Sequence, residues 1–180
     1  MNPLVSSALP GNIAMQCWLA ICLPFNSGEL SMVGDHKNEK TLIIDDKIKK
    51  FVELINSTKG DGELTFSHIQ SRPFMPYWAN IMITKFHPEV NDFQVIFHGT
   101  DVVSHVLRDQ TGKFLKDPDF RSSSPEILTA HTTAFIENRP IFLKGDLSID
   151  KRKHKKFNQV KTPLLFKNNE KGTVTYVLYY

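Results

Sequence analysis

The sequence predicts an α+β domain: a five-stranded antiparallel sheet, with helices between the second and third strands that cover one face of it. Three observations predict this class. Apolar and polar side chains alternate in residues 81–86 and 93–98, as in strands that bury one face. Residues 124–138 instead show the 3.6-residue spacing of an amphipathic helix. Alternation resumes after residue 141 in three further segments, which can pair in order without a crossover.

The first predicted element is a helix that begins near residue 45. Its apolar residues recur at helical spacing, at Ile44, Ile48, Phe51, Val52 and Ile55. Asp45 or Asp46 is available as the N-cap, and Gly60 ends the helix. Pro73 and Pro76 then prevent a long helix, so a short irregular path leads into the first strand.

Two helices are predicted after the second strand. That strand runs into Gly99, where the backbone can turn, and Thr100 is predicted to cap a helix of about two turns. A turn at residues 109–112 follows. The longer helix is predicted to have Ser124 as its N-cap and Pro125 at its first position.

The positive charge of the chain is concentrated in one short stretch. The net charge is +3, and residues 151–161 hold six Lys or Arg and no acidic residue. Without these six, acidic residues outnumber basic ones, so no broad nucleic-acid-binding surface is predicted. We interpret residues 151–156 as a solvated hairpin loop between the third and fourth strands. Its basic patch consists of Lys151, Arg152, Lys153, Lys155 and Lys156.

The first 28 residues contain no charged side chain, and residues 13–25 are strongly apolar. That run is shorter than the ~20 residues of a bilayer-spanning helix, and no Lys or Arg precedes it as in a secretory signal. We therefore expect a cytoplasmic protein without a transmembrane segment. A natural start at Met32 is a further hypothesis, because the composition changes abruptly at Glu29.

The sequence carries no motif of a catalytic or metal site. GxSxG, HExxH and paired carboxylates are absent, so no catalytic residue and no metal ligand is predicted. Cys17 and Cys22 are too few for a disulfide framework or a four-ligand zinc site. Asp117 and Asp119 are interpreted as turn and cap residues.

Residues 64–180 resemble the PAS-like domain of many stand-alone alphaproteobacterial proteins. The resemblance lies in the order of strands and helices and in five short motifs, RPFMPYW, DFQVIFHGTDVV, RDQTGKFL, ENRPIFL and VKTPLLF. One position departs from the family: a helix-ending glycine is replaced by Leu107, where a left-handed cap is costly. The chain then divides into an N-terminal extension (1–40), a flanking amphipathic helix (41–63) and the PAS-like domain (64–180).

The resemblance implies a non-enzymatic sensory or regulatory module that binds a small ligand, a protein partner, or both. With no output domain expected, the signal would pass to a signalling protein by contact. Flavin photochemistry through a cysteine is excluded, because both cysteines lie far upstream. Haem would need His131 as its axial ligand, although a hydrogen-bonded core histidine is the favoured interpretation. Candidate pocket residues are Phe97, Val103, Leu107, Phe114, Leu128, His131, Phe135, Leu147, Leu165 and Tyr176.

Several alternatives stay open from the sequence. PAS proteins often use a flanking helix for dimer contacts, which here would involve Ile48, Phe51, Val52 and Ile55; the same helix could instead pack on the open face of the sheet. A cone-like α+β enzyme or ligand carrier could use His131 or His98 as a general base. A nucleic-acid-binding accessory protein could use residues 151–156, although nucleic acid is not the expected partner.

Overall fold

The computed structural model describes residues 45–120, 125–150 and 153–180, with the backbone alone at 147–150, 153 and 154. Its elements are four α-helices, two 3-10 helices and five strands. In chain order they are α1 (Asp46–Lys59), α2 (Phe66–Ile69), a 3-10 helix (Arg72–Asn80), β1 (Ile81–His87), β2 (Asp92–His98), α3 (Thr100–Val106), α4 (Pro125–Glu137), β3 (Ile141–Asp150), β4 (Lys153–Leu165), a 3-10 helix (Lys167–Asn169) and β5 (Lys171–Tyr179).

The five strands form one antiparallel sheet in the order β2-β1-β5-β4-β3. This confirms the predicted α+β class. The hairpin β1–β2 and the meander β3–β4–β5 join where β1 pairs with β5, so the first and last strands lie at the centre of the sheet. Successive residues of β5 point to opposite faces. Val174 and Tyr176 therefore face one side, while Thr173 and Thr175 face the other.

The face that carries Val174 and Tyr176 is covered by α1, α2 and the longer 3-10 helix. Asp45 caps α1 by accepting a hydrogen bond from the backbone N–H of Lys47 (2.8 Å). Phe51 of α1 stacks on Tyr176 with ring centroids 4.6 Å apart. This contact places α1 directly on the sheet.

The packing of α1 changes two of the expectations. The sheet is covered by helices on both faces and not on one, because α3 and α4 pack on the opposite face. Three of the side chains suggested for a dimer contact are buried in the core of the chain itself, and the fourth is half-buried. Of the two alternatives for the flanking helix, the structure therefore shows packing on the open face of the sheet. The buried three are Ile48, Phe51 and Ile55, and the half-buried one is Val52.

The segment after α3 runs along the free edge of β2. The N–H of Val95 donates to the carbonyl of Lys113 (2.9 Å), and the N–H of Leu115 donates to the carbonyl of Phe93 (2.9 Å). Gly112 adopts a positive φ of 85° at the predicted turn. The turn therefore brings the chain back to cover an exposed strand edge, which would otherwise offer unpaired backbone groups to other chains.

Two local predictions are wrong. Gly99, not Thr100, is the N-cap of α3, and no side chain caps that helix end. Thr100 is already the first helical residue, which puts its hydroxyl beyond the capping position. Residues 153–156 do not belong to the predicted hairpin loop either, because β4 begins at Lys153 and pairs with β3 from Asp150 onward.

Some predictions fall outside the described residues. These are the apolar run at 13–25, the start at Met32, both cysteines and the capping by Ser124. In the part of the chain that the structure describes, no helix is long and apolar enough to cross a membrane.

Candidate functional site

The sheet face under α3 and α4 carries a row of polar side chains at its centre. Lys161 of β4 pairs with Thr175 of β5, so the two side chains share this face. Gln159 lies two residues before Lys161 and points to the same side. Thr84 of β1 pairs with Thr173 of β5 on this face as well. All five side chains are buried, although most core positions are apolar.

Lys161 is fully buried and is surrounded by three neutral acceptors. Its Nζ lies 3.0 Å from His131 Nε2, 3.3 Å from Gln159 Oε1 and 3.3 Å from Thr175 Oγ1. An ammonium group has three hydrogens, so each can be directed to one of these atoms. Burial lowers the pKa of Lys161 from 10.5 to about 7, because the charged form loses its hydration.

His131 of α4 connects Lys161 to the threonines. Its Nδ1 lies 2.8 Å from Thr173 Oγ1, which in turn lies 2.9 Å from Thr84 Oγ1. Because Nε2 accepts from Lys161, Nδ1 carries the hydrogen and donates it to Thr173. Burial, and then the positive charge of Lys161, hold the pKa of His131 well below its usual value. His131 is therefore a neutral core histidine with both ring nitrogens engaged.

A cavity of about 30 Å³ lies between this polar row and the helices. Its volume accommodates roughly two water molecules. The lining comes from strands β1, β2, β4 and β5, from α3 and α4, and from the segment before α4. The lining residues are Met82, His98, Val102, Phe120, Ile127, Phe157, Gln159, Lys161, Thr175, Val177 and Tyr179.

His98 occupies the β2 side of the cavity. The backbone N–H of Gln110 donates to its Nδ1 (3.3 Å), so Nε2 carries the ring hydrogen. Burial lowers the pKa of His98, while the nearby Asp109 carboxylate opposes that shift. His98 Nε2 is buried and has no hydrogen-bond partner in the described ranges. The same holds for Gln159 Nε2.

Comparisons with protein-family models, with curated proteins and with solved structures found no match. What this chain can do is therefore inferred from the geometry of its own residues.

The geometry bears on the enzyme alternative. Among the residues of the three described ranges, neither His131 nor His98 has a carboxylate within hydrogen-bonding distance. The nearest approach given by the ion pairs is 3.7 Å, between His98 Nδ1 and Asp109 Oδ1. Within the same ranges, no group of three or more His, Cys, Asp or Glu could hold a metal ion.

None of the nine candidate pocket residues with described side chains lines the cavity, although His131 contacts the lining residue Lys161. Phe97 and Tyr176 lie on the opposite face, in the cluster with α1. Leu107 is 64% exposed. Leu128 and Phe135 pack instead against a separate buried apolar cluster that includes Phe93 and Val95. The other three described residues, Val103, Phe114 and Leu165, are half-buried, and the side chain of Leu147 is not described.

The basic patch is described only in part. Lys155 is half-buried and Lys156 is exposed, both on β4. Lys151 and Arg152 lie outside the described residues, as does the side chain of Lys153. The described part of the patch belongs to a strand, and it lies on the same strand as Lys161.

Sequence reasoning missed Lys161 and Gln159, the two residues at the centre of the site. A lysine in a strand is normally assigned to the solvent face, because lysine is almost never fully buried. The signal that could have found them is the alternation in β5, where Thr173 and Thr175 share one face. The β4–β5 register is needed to see that Lys161 joins them.

Proposed function

We propose that this chain is a PAS-like sensory or regulatory domain that acts without catalysis. In this proposal, occupation of the cavity between the sheet and helices α3 and α4 changes how those helices lie on the sheet. The observation that carries it is a buried, titratable Lys161 at a small cavity beneath the inserted helices. The order of two strands, helices and three strands, which is that of a PAS domain, supports it.

The free-energy cost of Lys161 is a second support. A pKa moved from 10.5 to about 7 corresponds to about 5 kcal/mol against the charged form in the folded chain. A Met or Leu at this position would avoid that cost. Strongly shifted groups in clefts concentrate at functional sites, so the cost favours a role in sensing over one in stability.

The cavity is placed so that its occupancy, or the charge of Lys161, can affect both α3 and α4. Val102 of α3 and Ile127 of α4 line the cavity, and His131 of α4 contacts Lys161 directly. A change of charge or occupancy at Lys161 therefore acts on two helices at once. The proposal includes a cytoplasmic location and a signalling protein that contacts the domain.

Hydrogen exchange tests the proposed function. Amide exchange is measured for the full chain at pH 6 and pH 9, with rates corrected for the intrinsic pH dependence. We expect protection in residues 100–106 and 125–137 to change between the two pH values, with little change in α1. In Lys161→Met the change should disappear. If the protection of α3 and α4 were the same at pH 6 and pH 9, in the wild-type chain as well as in Lys161→Met, the proposal would be overturned.

A further inference from the structure

Among the residues that the structure describes, Lys161 has no anionic partner. None of its three contacts is a carboxylate, and no described carboxylate lies within 4.0 Å of its Nζ. A buried positive charge without a counterion is costly, and an anion at the site would remove most of that cost.

Gln159 presents a donor to the same cavity. Its Oε1 accepts from Lys161 Nζ, which sets the orientation of the amide and leaves the NH₂ group on the other side. Gln159 is 6% exposed, and its Nε2 has no partner in the part of the chain that is described. A buried NH₂ group of this kind requires an acceptor.

His98 presents a third donor from the opposite side. Since its Nδ1 accepts from the backbone of Gln110, the unpartnered Nε2 carries a hydrogen. The side chain of His98 is fully buried. Lys161, Gln159 and His98 all line the one cavity, and each carries an N–H group.

We propose that this cavity binds a small monovalent anion of the size of chloride or formate, held by Lys161, Gln159 and His98. The donors match an anion because an acceptor-only ligand satisfies all three. The volume of about 30 Å³ limits the ligand to a few atoms. The apolar remainder of the lining, which includes Met82 and Phe120, strengthens the attraction by lowering the local dielectric.

The two longer contacts of Lys161 can be exchanged for a contact with the anion. Gln159 Oε1 and Thr175 Oγ1 lie at 3.3 Å from Nζ, near the upper limit of a hydrogen bond. One ammonium hydrogen can therefore turn from Thr175 to the anion. The Thr175 hydroxyl, which also lines the cavity, is then free to donate to the anion itself.

Binding should depend on the protonation of Lys161. The other titratable groups at the cavity are His98 of β2 and Tyr179 of β5, with His131 of α4 beneath and Asp109 beside His98. The histidines and Asp109 titrate at lower pH and Tyr179 at higher pH, so Lys161 is the one described group at the cavity that changes charge between pH 7 and 9. The apparent affinity should be more than tenfold weaker at pH 9 than at pH 7.

Chloride NMR relaxation tests this inference directly. Broadening of the ³⁵Cl signal by the full chain is measured at pH 7 and pH 9 in a background of sodium gluconate, an anion too large for the cavity. We expect broadening at pH 7, a more than tenfold loss of affinity at pH 9, and reversal by added formate. Lys161→Met should abolish the effect. Gln159→Leu, which keeps the lysine, should weaken binding severalfold, while the exposed-site control Lys156→Met should bind as the wild-type chain does.

Two results would overturn the anion site: absence of broadening at pH 7, or broadening that persists in both Lys161→Met and Gln159→Leu. Circular dichroism of each variant confirms that it is folded. The anion site rests on the proposed function in one respect only, namely that the anion is the ligand that the domain senses. If chloride binds but exchange in α3 and α4 is unchanged, the site stands and the sensory proposal fails. If amide exchange in α3 and α4 responds to pH but chloride does not bind, the sensory proposal stands and the anion site fails.

Discussion

At the scale of single residues, the main feature is a lysine that binds its proton less tightly in the folded chain than in the unfolded chain. The pKa of Lys161 is lowered to about 7 by burial, whereas an unfolded lysine keeps its usual value of 10.5. Between these two values the unfolded state holds more protons. Stability therefore rises as pH increases through this window, and it falls as the pH returns toward 7.

This sign leads to a prediction for the free energy of unfolding. At low chloride, the free energy of unfolding of the wild-type chain should rise by about 2 kcal/mol from pH 7 to pH 9. Lys161→Met should remove most of that rise, because methionine does not titrate. Urea denaturation at several pH values measures it. Lys156→Met, an exposed lysine of the same strand, should keep the wild-type slope. An unchanged slope in Lys161→Met would mean that Lys161 is not responsible.

At the scale of elements, the end of α3 shows a local cost. Leu107 adopts the left-handed conformation (φ 60°, ψ 19°) in which glycine is favoured, and its side chain is mostly exposed. The unusual residue at this position was recognisable from the sequence, because the PAS-like domains that the chain resembles have a helix-ending glycine there. The structure keeps the left-handed cap in spite of the leucine, so the surrounding fold compensates for the strain.

Leu107→Gly should therefore stabilise the protein by about 1 kcal/mol, since it relieves the strain of the left-handed backbone and loses little packing. Thermal or urea unfolding measures the gain. Leu107→Ala is the matched control, because alanine has the same steric penalty and should give no gain. Equal stability of the two variants would show that the backbone at this position is not strained.

Local sequence patterns predicted most of the helices and strands, and the features that they missed depend on how the strands pair. The helix at α1 with Asp45 as cap, the hairpin β1–β2 and the start of α4 at Pro125 all follow from spacing and capping within a few residues. The early start of β4 did not follow, because its basic sequence resembles a solvated loop. The site was missed for a related reason. Its residues come from four strands, two helices and the segment before α4, and only the register shows that Lys161 and Thr175 share a face.

At the scale of the whole molecule, α1 is part of the folding unit. It contributes Phe51, which is fully buried and contacts Phe74, Tyr77 and Tyr176 through its ring. The sheet therefore has one apolar face closed by α1, and a second face closed by α3 and α4 on which a central row of polar side chains lies among apolar ones. A helix needed for closure in this way cannot detach to contact a partner without exposing the core.

Phe51→Ala should lower the free energy of unfolding by about 3–5 kcal/mol, because it leaves a cavity in the centre of the cluster. The exposed neighbour Glu53→Ala should change it by less than about 0.5 kcal/mol. The measurement is urea denaturation at two protein concentrations tenfold apart. If the midpoint rose with concentration in the wild-type chain and Phe51→Ala abolished that dependence, α1 would be a dimer helix after all.

The chain of hydrogen bonds from Lys161 through His131 to Thr173 and Thr84 has a direction, since each link holds a single hydrogen. With Lys161 charged, the donors run from the lysine toward Thr84. A neutral amine can accept, which allows Thr84 to donate to Thr173, Thr173 to donate to Nδ1 of His131, and Nε2 of His131 to donate to Lys161. Loss of one proton on β4 can then switch the tautomer of a histidine on α4 and rotate a hydroxyl on β1 while every heavy atom stays in place.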